Sequence, residues 1–217
     1  MSDFQRARNR EQKEERIREI KAAADSLFQT VPYHQITLSA IAENLKWSRA
    51  NLYKYVSTKE EIYLELAGDK RDAYFTAFKS AFPPGSCYSP SVFSEVWAEI
   101  LNAHRDYLHY SSILLTIIET NVSVERLANF KQNYYHEEAE ILCLLEKNLK
   151  ISGEMARTLF YDVYYHAVGL IGSCLHNPLI REALKLIPME VTEPDFRGDM
   201  RRFISMCLEH CGISDSG

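Results

Sequence analysis

Proline and glycine partition this chain more firmly than any other feature. Its 217 residues include only 8 Gly and 7 Pro. Pro83, Pro84 and Pro90 fall in one loop, Pro178, Pro188 and Pro194 in a second region, and Pro32 stands alone. Proline lacks a backbone N–H and clashes with the preceding helical turn, and glycine costs a helix backbone entropy. The long intervals without them are therefore open to helix. Within those intervals apolar residues recur at spacings of three and four, and no sustained period-two alternation occurs. An all-α chain of about nine helices is predicted.

The stripes set the expected helices. The first carries Ile17, Ile20, Ala24, Leu27, Phe28 and Val31, preceded by an arm with Arg6, Arg8 and Arg10. After the first proline loop, Val92 through Leu108 reads as one helix, followed by a shorter apolar helix over Ser111 to Asn121. A long helix carries Val124, Leu127, Tyr134, Ile141, Leu142, Leu145 and Leu149. Ser152 is positioned to cap a helix over about 154–175, where Asp162 is the only charged side chain between Leu159 and Leu175. A helix that is apolar nearly all round must be covered on more than one side. Gly169, Gly172 and Ser173 permit close approach of a second backbone. The last helix, about 195–210, carries Met200, Phe203, Ile204, Cys207 and Leu208.

Several classes are disfavoured. An apolar fraction of 46% and a charged fraction of 25% are globular values. The apolar runs are far shorter than the roughly 20 residues of a membrane helix. The polar N-terminus does not read as a signal peptide. Five cysteines without a CxxC pair read as reduced, mostly buried thiols of a cytoplasmic protein. His136-Glu137-Glu138 and Cys174-x-His176 assemble no tetrahedral metal set, and no GxSxG motif occurs. No metal, cofactor or catalytic residue is expected.

The stretch from Ile36 to Leu66 is different in kind. Thr37 can cap a helix holding Leu38, Ile41, Ala42 and Leu45. Ser48 can cap a second over Arg49 to about Tyr55, and Thr58 with Glu61 has capping-box spacing for a third. About three residues separate the first two, which demands a sharp turn. Two short helices so joined, the second rich in Arg, Asn, Tyr and Lys, are the parts of a helix-turn-helix. Arg49 and Asn51 have donors suited to guanine and adenine edges. Tyr53, Lys54, Tyr55 and Lys59 are placed for base or phosphate contact, with Lys59 at a helix N-terminus where the dipole favours anions. Leu52 and Val56 are left to face inward.

From Ile41 to Ile62 the segment resembles the tetracycline-repressor (TetR) family of bacterial transcription regulators, through Ile41-Ala42, Ser48, Leu52-Tyr53, Tyr55 and Lys59-Glu60. The departures are Lys46 at the family's turn glycine, Trp47 at a small aliphatic position and Val56 in place of Phe. A left-handed conformation at Lys46 costs on the order of 1–2 kcal/mol. Trp47 requires a larger cavity or partial exposure. The resemblance implies a helix-turn-helix domain over 1–57 and a helical regulatory and dimerisation domain over 58–217. It implies DNA contacts from Thr37, Ser48, Arg49, Ala50, Asn51, Tyr53, Lys54, Tyr55 and Lys59.

It also implies a homodimer acting as a repressor on a palindromic operator, with a dimer interface built from the last two long helices. A small-molecule effector, aromatic or cationic, is expected among Trp97, Tyr107, Tyr134, Tyr161 and Tyr164, with Asp162 as its acid or as half of a structural pair. Two other readings compete. One is a helical protein-interaction module with a relict motif, anchored on an exposed Trp47. The other is a helical-bundle enzyme using Asp162 and His166. The charge distribution favours DNA. Residues 1–60 hold 11 basic and 8 acidic side chains, a balance of +3, whereas 61–217 hold 14 and 22, a balance of −8.

Overall fold

In the computed structural model, residues 2–174, 182–188 and 195–214 are described, apart from the side chains of 2–10, 115, 173 and 174. The helices are α1 Ser2–Phe28, α2 Leu38–Asn44, α3 Arg49–Leu52, α4 Lys59–Ala81, α5 Pro90–Ala103, α6 Arg105–Ile113, α7 Val124–Leu149, α8 Gly153–Cys174 and α9 Phe196–His210. No strand occurs among the described residues. The chain packs as two compact units. The first falls within residues 1–68 and 114–130, the second within 69–113 and 131–217.

Three boundaries differ from the sequence reading. The basic arm is not separate: the backbone of α1 is helical from Ser2, although the side chains of Arg6, Arg8 and Arg10 lie outside the described residues. The stripe from Val92 to Leu108 is two helices, because His104 leaves helical geometry at φ −113° and ψ 37°. The apolar run after it ends α6 in a π turn over Leu114–Ile118, where Glu119 N–H bonds to Leu114 O at 2.9 Å.

The first unit is built on α1 and the start of α4. Ile20, Ala24 and Phe28 meet Ile41, Ala42, Leu52, Val56, Ile62 and Tyr63 in its buried core. Phe28, Tyr33 and Tyr63 pack edge to face, with centroids 5.1–6.3 Å apart. Such contacts add to the free energy of burial alone. Tyr63 donates to Ala24 O at 2.9 Å, so its hydroxyl is satisfied in the core. Residues far along the chain complete this unit. Arg126 lies 3.3 Å from both Glu61 and Glu65. The Phe130 ring covers Gly68, 3.7 Å from where a Cβ would stand.

In the second unit α9 packs against α5 and α8, and α6 packs against α8. Its core centres on Trp97, which contacts Phe78 and Phe93 edge-on at 5.3 and 5.9 Å and donates from Nε1 to Tyr74 at 2.9 Å. Arg197 pairs with Glu95 and Glu99, and Ser205 bonds Ser94, tying α9 to α5. Asn148 fixes the proline loop by accepting from Gly85 N–H and donating to Phe82 O. The cysteines are less buried than expected: Cys87 is exposed, and Cys143, Cys207 and Cys211 are partly exposed and free. They flank the core stripes rather than occupy them. Cys174 lies outside the described side chains. Among the described residues no helix is long and apolar enough to cross a membrane.

Candidate DNA-binding surface and effector region

Local chemistry positions the helix pair. Thr37 accepts from Ala40 N–H at 3.1 Å, Ser48 from Asn51 N–H at 3.2 Å and Thr58 from Glu61 N–H at 3.2 Å. Each cap satisfies an N–H that the first helical turn leaves without a partner. Glu61 reaches back to the N–H of Ser57, one residue before the expected partner. The turn between α2 and α3 is a Schellman motif. Trp47 N–H bonds to Ala42 O at 2.8 Å, Lys46 N–H bonds to Glu43 O at 3.0 Å, and Lys46 sits at φ +56°. Lysine thus adopts the left-handed conformation in which glycine is unstrained.

Helix α3 is one α turn that tightens into i→i−3 bonds from Lys54 and Tyr55. Leu52 and Val56 are buried beneath it. Arg49, Ala50, Tyr53 and Lys54 are exposed, with Tyr53 at 56%, while Asn51 and Tyr55 are half-buried. Arg49 also bonds Ser39 on α2. The exposed face therefore has an arginine at its N-terminal end and a lysine at the other.

Lys59 has a further task. Its ammonium donates to Tyr33 O at 3.0 Å and Ile36 O at 2.8 Å and lies 4.3 Å from the Tyr33 ring centroid. Two of its three N–H groups are thus engaged by backbone. Tyr33 donates to Glu60 at 3.0 Å, and burial, then the Glu60 charge, push its phenol far above the ordinary value. This Tyr33–Lys59–Glu60 knot joins α4 to the turn before α2. The sequence reading did not include Tyr33.

Trp47 is half-buried. Arg16 of α1 covers its ring at 5.3 Å, and Tyr55 packs against it at 5.8 Å. It is therefore in contact with two neighbouring side chains and is not a bare apolar anchor.

The expected effector residues divide. Trp97 is fully buried with its N–H satisfied, and Tyr107, also buried, stacks on Tyr74 at 5.2 Å. Both are packed core. Tyr134 and Tyr161 are half-buried and Tyr164 is buried beside them, parallel to Phe160. Asp162 is a correction: it is exposed and points away from this group, because α8 turns that face outward. Its charge, after burial, helps hold the Cys207 thiol up at about 11. His166 does not pair with it but stacks flat on Phe203 at 3.8 Å.

The buried acid is Glu138, only 2% exposed. Burial, then the neighbouring Tyr161 and Glu138, push the Tyr134 phenol far above its ordinary value, and burial, then Glu138, raise that of Tyr161. Glu138 Oε1 accepts no hydrogen bond, and Arg157 lies 3.9 Å from it. A signal for Glu138 exists in the sequence, since it falls four residues after Tyr134 and three before Ile141 on the apolar stripe of α7. Among the described residues no cluster suited to a metal ion occurs.

The capped helix pair, with its basic outer face and inward Leu52 and Val56, defines a helix-turn-helix regulator of transcription. Residues 20–66 match the family described as bacterial regulatory proteins, tetR family, and residues 69–212 match the tetracyclin repressor-like C-terminal domain. The chain belongs to the tetracycline-repressor family. Among solved structures it is similar in fold to the transcriptional regulator PfmR of Thermus thermophilus (16% identity, 88% of this chain and 97% of that one, TM-score 0.58). It is similar also to the fatty acid degradation regulator FadR of Bacillus halodurans (14%, 88% and 94%, 0.57). A third is Thermus thermophilus FadR in complex with lauroyl-CoA (16%, 92% and 97%, 0.50). No curated protein matches the chain.

Proposed function

We propose that this DNA-binding regulator is a ligand-responsive repressor that acts as a cytoplasmic, non-catalytic homodimer on a palindromic operator. The observation that carries the reading is the α3 surface, where Arg49, Ala50, Tyr53 and Lys54 stand exposed over buried Leu52 and Val56. Arg49 and Asn51 read base edges. Tyr53, Lys54, Tyr55 and the remaining N–H of Lys59 hold phosphates, and Thr37, Ser48 and Ala50 let the backbone approach. The reading domain is centred on the segment through residue 57, within the first compact unit, and the second unit regulates and dimerises.

Dimerisation is supported by the outer face of α8 and α9. Thr158, Asp162, Tyr165, Gly169 and Gly172 recur at helical spacing, and Tyr165 and Met206 are 56% and 64% exposed. A Cβ at Gly169 or Gly172 would meet nothing within 4 Å, which leaves room for a second helix. The effector site is built from Tyr134, Tyr161 and Tyr164, with Glu138 in the acid role that Asp162 cannot fill. A buried carboxylate disfavours an anionic ligand and suits an aromatic cation. The lauroyl-CoA held by the Thermus regulator is therefore a poor guide to the effector here.

The test is selection of duplexes from a random-sequence pool by the purified protein. A palindrome with half-sites about one helical turn apart is expected, and its retardation in gels is expected to weaken in Tyr53→Ala. Enrichment of no sequence would refute the reading. Gly169→Phe is expected to fold yet sediment as a monomer. In thermal-shift screens an aromatic quaternary ammonium is expected to raise the melting temperature, and lauroyl-CoA is not.

A further inference from the structure

Glu138 is only half neutralised. Its side chain is buried on α7, and its Oε1 accepts no hydrogen bond. A carboxylate taken out of water is costly unless a cation meets it with good geometry. Arg157 of α8 supplies a charge, with Nη1 3.9 Å from Oε1. Coulomb attraction acts at that distance, but a hydrogen bond does not form. The two partners also sit in different media, since the Arg157 side chain is 60% exposed and that of Glu138 3%. Arginine can lay its apolar stem along a protein and keep its head in water. Here the head stays largely outside while the charge it should neutralise is inside.

The same two helix faces carry aromatic rings. Tyr134 precedes Glu138 by four residues on α7, and Tyr161 follows Arg157 by four on α8, so each ring lies one turn from a member of the pair. After burial, Glu138 helps raise both phenols, which places both rings near its carboxylate. Ring faces attract cations. A flat cation therefore finds two things here that the guanidinium leaves unused: the bare Oε1 and the tyrosine rings beside it. It cannot take the first while Arg157 occupies the approach.

We propose that Arg157 is a built-in competitor of the effector, the resident counter-ion of Glu138 that a ligand cation displaces. The proposal rests on the aromatic-cation reading of the effector site and adds to it the residue that sets the threshold for response. Displacement exchanges a tie between α7 and α8 for a tie to the ligand, so occupancy and the α7–α8 contact are linked through one charge. It also sets selectivity. A small hydrated cation gains Oε1 at the loss of Arg157 and of its own water. A flat aromatic cation adds the ring contacts to the exchange and so outcompetes the guanidinium.

The experiment is calorimetric titration of the full chain with phenyltrimethylammonium and with its uncharged isostere, tert-butylbenzene. Wild type, Arg157→Gln, Glu138→Gln and the Arg157→Gln/Glu138→Gln pair are compared, with circular dichroism to check folding. Arg157→Gln is expected to bind the cation about two- to five-fold more tightly, the worth of an ion pair with one exposed partner. Glu138→Gln is expected to bind it more weakly, and adding Arg157→Gln to that variant is expected to give no gain. The uncharged isostere is expected to bind wild type and Arg157→Gln alike. A second readout needs no variant. Phenylglyoxal, which reacts with free guanidinium groups, is expected to modify Arg157 of the wild-type protein faster when phenyltrimethylammonium is bound. No gain in Arg157→Gln, an equal gain for the uncharged isostere, or Arg157 modified no faster in the bound protein overturns the competition and leaves the effector reading standing. Failure of both wild type and Arg157→Gln to bind phenyltrimethylammonium overturns both.

Discussion

Replacing Lys46 by glycine is expected to stabilise the protein, which is unusual for a substitution inside a functional motif. Lys46 holds φ +56° at the position after the α2 cap, in a turn closed by the Trp47–Ala42 and Lys46–Glu43 bonds. A residue with a Cβ costs about 1–2 kcal/mol in that conformation. Glycine removes the strain but gives the unfolded chain more freedom, a loss of about 0.4–1 kcal/mol. Lys46 is exposed, so few contacts are forfeited. The net is a gain of about 0.5–1 kcal/mol. With a urea slope of about 2 kcal/mol per molar, the midpoint of the unit containing it rises by about 0.3–0.5 M.

The assay is urea unfolding followed by circular dichroism, with Lys46→Ala as the control. Alanine keeps the Cβ and hence the strain, so it is expected to match wild type within a few tenths of a kcal/mol. The chain supplies an internal series. Lys150 sits at φ +54° with Ile151 N–H bonded to Glu146 O, and Gly212 at φ +76° with Ile213 N–H bonded to Leu208 O. Lys150→Gly is expected to stabilise and Gly212→Ala to destabilise. If Lys46→Gly is no more stable than Lys46→Ala, strain at the turn is not the operative cost.

Three further outcomes follow from buried polar groups. Lys59→Met deletes two charge-assisted bonds to Tyr33 O and Ile36 O, and is expected to lower stability by about 2–3 kcal/mol in urea titration; a lysine serving only phosphates would leave stability unchanged. Tyr74→Phe strands the Trp97 indole N–H in the core, at an expected cost of about 1–3 kcal/mol measured the same way. His109 has its pKa lowered by burial, so between that value and 6.5 the unfolded chain binds the proton that the folded chain refuses. Stability therefore falls as pH drops below about 6.5, and His109→Gln is expected to flatten that part of a melting-temperature profile.

What was legible in the sequence was local. Thr37, Ser48, Thr58 and Ser152 each announce a helix start because a cap is a bond to a group three residues away. Leu52 and Val56 follow from helical spacing alone. The inward acid was not legible in the same way. Asp162 sits in an almost uncharged helix and Glu138 in a charged one, yet Glu138 is buried and Asp162 exposed. Composition along a helix does not say which of its faces the neighbours cover. Only the stripe phase, Tyr134 to Glu138 to Ile141, carried that information. The knot of Tyr33 with Lys59 joins residues 26 apart, and no periodicity reports such a contact. His104, which splits one stripe into two helices, preserves the apolar spacing and so leaves no break in it.

The interrupted make-up of the first unit has a consequence for synthesis on the ribosome. Residues 1–68 emerge early, but Arg126 and Phe130, which pair with Glu61 and Glu65 and cover Gly68, emerge some sixty residues later. At roughly 5–20 residues per second that interval is on the order of 3–12 s. For that time a nascent reading head carries unpaired carboxylates and an uncovered face on α4. The last contacts of the DNA-reading unit close only when the ribosome has made more than half of the chain, so a truncated product would carry the recognition helix on an unfinished support.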